Sequence, residues 1–353
     1  MDALPSVLSP ADLRHFDEHG FVLARGVVPP EQAARTARDV VEFAGRDEHR
    51  GRDFYLDPRA PDSWYDERGR CGFKRAVEVY HSQSMWDNRL CPRMHGLFAQ
   101  LHGTARLHAD KGRCSITPPS RDPTERQGLH WDIAALFAYM EYEGYLEKKN
   151  LAANGSSFAP VEAREALHGA RSAAEGVGPL PQSALAAVLY LTDVPADGGA
   201  MTCVPGFHRR IDSWLGSLPP HVDGRKPWSE EDLLAMGPMA VPGRAGDVVI
   251  WNSLLPHGAG VNRSAQPRVV QYVGLDPAPA AVDAELLESN RRWHAERTGS
   301  PRLGMPPEPG APTVFRSATA RCLAGLEAWP DTDAATAADG EMVRPPATTL
   351  ASL

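Results

Sequence analysis

Short segments with the character of β-strands recur along the middle of the chain, separated by glycine, proline and aspartate. They cover residues 112–117, 127–132, 184–193, 200–204, 239–241, 246–252 and 268–274. Many short strands divided by turn-forming residues are typical of an antiparallel sandwich or barrel. The sequence therefore predicts a mainly β fold with flanking helices.

The first flanking helix has clear local signals. Ser9 is a favourable N-cap residue and Pro10 suits the first helical turn, so a helix is expected from there to Gly20. A strand is expected to follow at 21–28. Further helices are predicted at 30–45, 84–102, 281–297 and 315–328.

A long insertion separates the strand that contains His130 from the strand that begins near Ala184. A structureless connection of that length is uncommon in a compact domain, so helices are expected within it. The predicted organisation is a β domain over 1–275 with a helical insertion at about 133–182, a helical extension over 276–330, and a disordered tail over 331–353. The tail prediction follows from its few apolar residues.

Composition limits the classes of partner. The net charge of -8 and the absence of a basic run argue against nucleic acid, and no apolar stretch is long enough to span a membrane. The N-terminal residues lack the basic and then apolar pattern of a secretion signal. The five cysteines are scattered and never form a Cys-x-x-Cys pair, which predicts reduced thiols in a cytoplasmic protein.

Two fragments carry most of the chemical information: His130-Trp131-Asp132 and, far along the chain, His257. Two histidines and one carboxylate can form the facial triad of a non-haem iron(II) oxygenase, which leaves metal positions open for O2 and a co-substrate. Arg268 follows His257 by eleven residues. Its planar guanidinium suits a dicarboxylate, because it can bind a carboxylate through two parallel hydrogen bonds.

A His-x-Asp triplet alone is weak evidence, since the chain contains four of them. They are His15–Asp17, His108–Asp110, His130–Asp132 and His221–Asp223. Two ligands at positions i and i+2 share a face on a strand, whereas the predicted helix would place His15 and Asp17 about 200° apart around its axis. The pair at 221–223 lies in a turn-like stretch close to His257. The pair at 108–110 ends a possible strand and is harder to exclude.

Several motifs in a fixed order strengthen the choice of His130 and Asp132. They are Phe21-Val-Leu-Ala-Arg-Gly-Val-Val28, His130-Trp-Asp132, Leu189-Tyr-Leu-Thr-Asp-Val-Pro-Ala-Asp-Gly-Gly-Ala-Met-Thr-Cys-Val-Pro-Gly-Phe-His208-Arg209, Gly246-Asp-Val-Val-Ile-Trp251, Pro256-His-Gly-Ala-Gly-Val-Asn-Arg263 and Pro267-Arg268. With these motifs the chain resembles the phytanoyl-CoA dioxygenase-like branch of the iron(II)/2-oxoglutarate-dependent oxygenases, over roughly residues 9–275.

The resemblance implies a double-stranded β-helix, or jelly-roll, core that is cupin-like. It implies His130, Asp132 and His257 as ligands of Fe(II), and Arg268 as the residue that binds the distal carboxylate of 2-oxoglutarate, with O2 as oxidant. His208 recurs in the motif pattern and is expected to be structural.

Two features depart from better-known relatives. Ala259 stands where some relatives have a serine that helps to hold the co-substrate, so one carboxylate contact must come from elsewhere. Thr117 and Lys74 are the candidates. The second departure is the insertion after Asp132, in which Tyr139, Tyr142 and Tyr145 follow a helical spacing. They either cover the flank of the barrel or form a lid that excludes water from the metal, with Tyr142 and Tyr145 facing the substrate.

The reaction expected from the resemblance is hydroxylation of a small molecule, for example one of specialised metabolism, with release of succinate and CO2. Halogenating relatives lack the carboxylate that Asp132 supplies. Desaturation, ring closure and epimerisation use the same triad and stay open. Two other classes are a metal-binding jelly roll without redox activity and a zinc hydrolase with the same three ligands.

Overall fold

The computed structural model describes residues 4–45, 76–126, 128–131, 185–217, 229–279, 281–299 and 307–330. The predicted insertion at 133–182 and the predicted tail at 331–353 lie outside these residues, so both stay predictions. In the described part of the chain, no helix is both long enough and apolar enough to cross a membrane.

The N-terminal helix α1 (Pro10–His19) begins and ends where its sequence signals predict. Ser9 caps it, since its hydroxyl accepts from the Asp12 amide while the Asp12 carboxylate accepts from the Ser9 amide. The helix ends at Gly20, whose φ of 77° is in the left-handed region. Strand β1 (Phe21–Ala24) follows, and then helix α2 (Pro30–Gly45).

The single helix predicted at 84–102 is wrong in one respect, because the structure contains two. Helix α3 (Gln83–Arg89) ends at Leu90, and helix α4 (Pro92–His102) begins two residues later. Pro92 has no amide hydrogen and tolerates only the first turn of a helix, so it starts α4 and cannot continue α3.

Ten further strands and four further helices complete the described fold. The strands are β2 (Ala76–Val77), β3 (Leu107–Ala109), β4 (Cys114–Thr117), β5 (Leu185–Tyr190), β6 (Met201–Cys203), β7 (Met239–Val241), β8 (Val248–Asn252), β9 (His257–Ala259), β10 (Arg268–Tyr272) and β11 (Leu275–Pro277). The helices are α5 (Ile211–Ser217), α6 (Glu230–Leu234), α7 (Ala284–Glu296) and α8 (Ala318–Leu323). A 3-10 turn, Phe207–Arg209, precedes α5.

The strands form two principal antiparallel sheets. The major sheet has six strands in the order β1-β8-β5-β10-β4-β2, and the minor sheet has three in the order β7-β6-β9. His130 extends the minor sheet through an isolated antiparallel bridge to His257. Along the chain, β4, His130, β5, β6, β7, β8, β9 and β10 pass repeatedly between the two sheets, which is the topology of a jelly roll. The predicted fold class is confirmed.

Alternating side chains of the major sheet belong to two different cores. On β8, Val248 and Ile250 pack into the core that α2, α3 and α4 complete, whereas Val249 and Trp251 pack into the core shared with the minor sheet. This alternation follows from the two-residue period of a strand. We call these the outer face and the inner face of the major sheet. Each fully buried valine or isoleucine contributes about 1.5–3 kcal/mol.

The C-terminal residues pack against a small separate sheet. Strand β11 pairs with β3, and the Trp329 indole donates to the Leu107 carbonyl at 2.9 Å. Both predicted C-terminal helices are present, although α8 is shorter than the predicted span 315–328. The cysteines at 91, 114, 203 and 322 are free thiols, as the sequence predicts.

Candidate functional site

His130 and His257 lie side by side on neighbouring strands of the minor sheet. Each amide donates to the carbonyl of the other residue at 2.8 Å, and the two ring centroids are 4.8 Å apart. His257 is also the cross-strand partner of Cys203, which belongs to the inner core. Directly paired residues project to the same face, so both imidazoles lie on the inner side of the minor sheet.

The close approach of these two strands requires Gly258. A Cβ atom at this position would overlap the backbone carbonyl of Gly128. The glycine that follows the distal histidine therefore lets the strand of His130 approach that of His257.

The ring of His257 is held in one orientation. Its Nδ1 lies 2.9 Å from the Leu255 carbonyl oxygen, and the Trp251 ring packs against it with centroids 5.0 Å apart. A carbonyl oxygen accepts only from a protonated nitrogen, so Nδ1 carries a proton and Nε2 is the nitrogen that would bind a metal. The His257 side chain is buried, whereas His130 is exposed.

The predicted carboxylate ligand, Asp132, lies outside the described residues. The described residues contain no group of three His, Cys, Asp or Glu side chains that could hold a metal. Trp131 is buried, and its indole donates to the Leu254 carbonyl at 2.8 Å. The rings of Phe207 and Trp214 pack on it.

Arg268 and Thr117 form a second polar group, on the inner face of the major sheet. They are direct cross-strand partners at the start of β10 and the end of β4. The next pair, Val269 and Ile116, packs into the outer core, so Arg268 and Thr117 point the opposite way. Both side chains are buried.

The Thr117 hydroxyl has no hydrogen-bond partner among the described residues. A buried polar atom left unpaired costs about 1–3 kcal/mol, and native proteins keep few of them. A hydroxyl and a guanidinium at adjacent positions have the chemistry to hold one carboxylate between them. The donor set therefore fits a 2-oxo diacid whose distal carboxylate contacts this pair.

Ala259 lies on the inner side of the minor sheet, as the partner of Met201 on β6. Its methyl group cannot donate a hydrogen bond to a carboxylate. The location of Thr117 beside Arg268 makes the threonine the better substitute for the missing serine contact. The other candidate, Lys74, lies outside the described residues, as do Tyr139, Tyr142 and Tyr145, so their roles stay predictions.

The remaining His-x-Asp pairs have structural surroundings or lie outside the described residues. His15 is in α1, as predicted, and its ring contacts Phe21. His108 lies on β3, while Asp110 accepts from the Gly112 amide and pairs with Arg89 at 3.8 Å. His221–Asp223 lies outside the described residues.

His208 is structural, as expected. Its Nε2 lies 3.1 Å from the Asp17 carbonyl oxygen, and its ring approaches the α carbon of Gly20 so closely that a side chain there would collide with it. The histidine of the Pro-Gly-Phe-His motif therefore connects the 3-10 turn to the end of α1.

Two residues that position the site were missed by sequence reasoning. The Asp247 carboxylate accepts from the amides of Gly26 and Arg244 at 2.8 and 2.9 Å, which fixes the turn that leads into β8. The Asn262 amide donates to the Thr117 carbonyl at 3.0 Å, which connects the β9–β10 loop to the end of β4. In the sequence, these two residues could have been found from the Gly-Asp and Asn-Arg pairs that lie within the motifs.

Comparison with known proteins agrees with this geometry. The family model "Phytanoyl-CoA dioxygenase (PhyH)" matches residues 148–270, a range that includes His257 and Arg268 and begins after Asp132. The "Putative phytanoyl-CoA dioxygenase" of Dictyostelium discoideum is 28% identical over 95 residues, which are 26% of this chain and 27% of that protein. The match thus spans about a quarter of the curated relative.

Two solved structures resemble the whole fold. GlcNAc Inducible Gene 2 from Candida albicans has a TM-score of 0.60 at 13% identity, over 93% of this chain and 78% of that one. The "Putative Oxidoreductase" from Salmonella typhimurium LT2 has a TM-score of 0.55 at 19% identity, over 90% and 83%. At these identities the likeness concerns the fold alone. Over residues 148–270 the chain is similar to the phytanoyl-CoA dioxygenase family.

Proposed function

We propose that this chain is an iron(II)- and 2-oxoglutarate-dependent oxygenase that acts on a small molecule. The observation that carries the proposal is the buried pair of Arg268 and Thr117, in which a hydroxyl lacks a partner among the described residues. A metal-binding module without a co-substrate has no need for a buried guanidinium beside an unpaired hydroxyl. The match of residues 148–270 to the phytanoyl-CoA dioxygenase family model supports an oxygenase-type enzyme.

In this proposal His130, Asp132 and His257 hold the metal, and Arg268 and Thr117 hold the distal carboxylate of the co-substrate. When bound, iron(II) with 2-oxoglutarate supplies oxidation by O2, with succinate and CO2 as the other products. A triad of two histidines and one carboxylate leaves positions for both small molecules.

The chain's own residues would bind, orient and desolvate these groups. The Leu255 carbonyl keeps the proton on Nδ1 of His257, so Nε2 stays a ligand. Trp251 shields one side of that ring. Burial of Arg268 strengthens its attraction to a carboxylate, because charges interact more strongly away from water.

The outcome we propose is hydroxylation, since Asp132 supplies the carboxylate that halogenating relatives lack. Desaturation, ring closure and epimerisation remain alternatives with the same ligands. A zinc hydrolase is the alternative of another class, and it would turn over without consuming O2 or 2-oxoglutarate.

The test is anaerobic addition of iron(II) and 2-oxoglutarate to the purified protein, with a visible spectrum recorded. We expect a weak charge-transfer band in the wild-type protein and its loss in His257→Ala. Arg268→Gln should require about 100-fold more 2-oxoglutarate, the effect of losing a charge-assisted, two-pronged contact. Arg113→Gln is the matched control, because Arg113 pairs with Glu78 at the partly exposed surface.

A wild-type protein that gives no band at saturating iron(II) and 2-oxoglutarate would contradict the proposed function. A band with the same 2-oxoglutarate dependence in Arg268→Gln would leave the oxygenase class standing and remove the role of Arg268.

A further inference from the structure

Tyr190 connects the two sheets at the core of the site. It is the last residue of β5 in the major sheet and is fully buried. Its hydroxyl donates to the Val241 carbonyl at 2.7 Å and accepts from the Met201 amide at 3.0 Å. Both partners are backbone groups of the minor sheet. These two hydrogen bonds to backbone hold the Tyr190 side chain in a fixed position between the sheets, and we call this side chain the strut.

The ring of this strut lies against the arginine of the site. The Arg268 Cζ atom is 5.9 Å from the centre of the Tyr190 ring, within the range of a cation–π contact. Gly199 packs on the arginine stem, since a Cβ there would lie 3.4 Å from Arg268 Cδ, and its φ of 79° favours glycine. The Tyr190 ring and Gly199 therefore fix the position of the Arg268 guanidinium.

The same strut is connected to the histidine end of the site. Met201, which donates to the Tyr190 hydroxyl, lies on β6. Two residues further along β6, Cys203 pairs directly with His257. Tyr190 thus contacts Arg268 with its ring and, with its hydroxyl, the strand that pairs with the distal histidine.

We propose that Tyr190 is a positioning residue that sets the length of the 2-oxo diacid the site accepts. The inference rests on the proposed function, in which the diacid extends from the metal between the histidines to Arg268. Because the strut holds both ends at one separation, a five-carbon diacid fits and its six-carbon homologue must bend or displace the guanidinium. One methylene group is commonly discriminated by about 10–200-fold in a fixed site.

The experiment compares 2-oxoglutarate with 2-oxoadipate, which is longer by one methylene. Dissociation constants are measured anaerobically with iron(II), and the melting temperature of the metal-free protein is recorded in parallel. Wild-type protein should prefer 2-oxoglutarate by about tenfold or more. Tyr190→Phe keeps the ring and removes the hydroxyl, so we expect that preference to fall about fivefold, while the KM for co-substrate rises more than kcat falls.

A second variant moves the Tyr190 ring without changing Tyr190 itself. A Cβ at Gly243 would lie 2.6 Å from Cδ2 of Tyr190, so Gly243→Ala should move the ring and lower the length preference in the same direction. Tyr272→Phe is the control, because Tyr272 lies on the same strand as Arg268 and is 38% exposed. It should leave both dissociation constants and the melting temperature unchanged.

The outcomes separate the two proposals. Wild-type protein that binds neither diacid would overturn the proposed function and this inference together. Wild-type protein that discriminates, with Tyr190→Phe and Gly243→Ala weakening both diacids equally, would leave the function intact and make Tyr190 a general packing residue. A changed ratio in both variants, whatever their melting temperatures, supports the inference.

Discussion

Both faces of the major sheet bury polar side chains, but the two faces differ in whether the hydrogen bonds of these side chains are satisfied. On the outer face, toward α2 and α3, the buried amides of Asn88 and Gln271 are bonded to other side chains and to backbone. On the inner face, the buried hydroxyl of Thr117 has no partner among the described residues. The network of Asn88 and Gln271 on the outer face is therefore satisfied as folded, whereas Thr117 on the inner face retains hydrogen-bonding capacity for a ligand.

The outer network is closed on itself. The Asn88 amide group donates to Thr36 and to Gln271 at 2.9 Å each, and its oxygen accepts from Gln32 at 2.8 Å. Gln271 in turn donates to the Met85 carbonyl at 3.0 Å. A buried network in which these groups are satisfied adds rigidity, and a broken one is costly. This network fixes the helices on the sheet that carries Arg268.

The largest effect is expected from breaking the outer network at its centre. Asn88→Ala removes three hydrogen bonds and leaves partners on Gln271, Gln32 and Thr36 unsatisfied in the interior. We expect the free energy of unfolding to fall by about 3 kcal/mol, measured by urea denaturation of metal-free protein. The affinity of the folded variant for 2-oxoglutarate should be unchanged. A loss below about 1 kcal/mol would contradict the closed-network description.

A matched pair of threonines gives the most direct test of the difference between the faces. Thr36 and Thr117 are both buried, at 0% and 1% exposure. The Thr36 hydroxyl accepts from Asn88 and donates to the Gln32 carbonyl. Thr36→Val should therefore cost about 1–2 kcal/mol of unfolding free energy without affecting co-substrate binding.

Thr117→Val should show the opposite pattern. The hydroxyl it removes has no partner among the described residues, so the metal-free protein should lose no unfolding free energy and should gain about 1–3 kcal/mol, the cost of the unpaired buried group. Its dissociation constant for 2-oxoglutarate, measured anaerobically, should rise about tenfold. Equal losses of stability in the two variants would remove the distinction between the faces.

The smallest effect concerns a buried carboxylate on the helix-covered side. Glu308 accepts from the amides of Tyr80 and His81 at 2.6 and 3.1 Å, and burial raises its pKa to about 7. Burial also lowers the pKa of His81 to about 4 and that of His294 to about 3. In the unfolded state these histidines have a pKa near 6.5, so they are half protonated at pH 6.5 and neutral by pH 8. Their contribution to stability therefore rises with pH while that of Glu308 falls.

The folded state binds a proton at Glu308 more tightly than the unfolded state, whose carboxyl has a pKa near 4.5. This contribution to stability is thus lost as the pH rises through 7. From pH 6.5 to 8 we expect the unfolding free energy of wild-type protein to fall by about 1 kcal/mol relative to that of Glu308→Gln, in which the contribution of the two histidines remains. The same pH dependence in both proteins would contradict the titration of Glu308.

Local sequence signals predicted the elements whose ends are marked by capping residues. The α1 and α2 boundaries follow from Ser9, Gly20 and Pro30. The division of 84–102 into two helices was missed although Pro92 marked it. Strand β3 was only a possible strand and β11 was missed, because three-residue strands have little periodicity and their pairing is distant in sequence.

For the site, the sequence indicated the chemistry of individual residues but not which of them lie next to each other in the fold. Spacing and motif context selected His130 and His257, and the structure brings their rings within 4.8 Å. Thr117 was one of two candidates for a carboxylate contact until the β4–β10 register set it opposite Arg268. Nothing in the local sequence marked Tyr190, because its role depends on backbone groups of two other strands.

The sequence by itself determined the fold class and led to the prediction of the histidines and the arginine as site residues, since strand period, turn residues and ligand chemistry are local properties. Tertiary structure decided which polar groups share a face, which hydroxyl stays unpaired, and which tyrosine lies beneath Arg268. These depend on strand register and on the separation of two sheets. Both are set by packing between residues distant in sequence, and a one-residue change of register would reverse the face of every side chain.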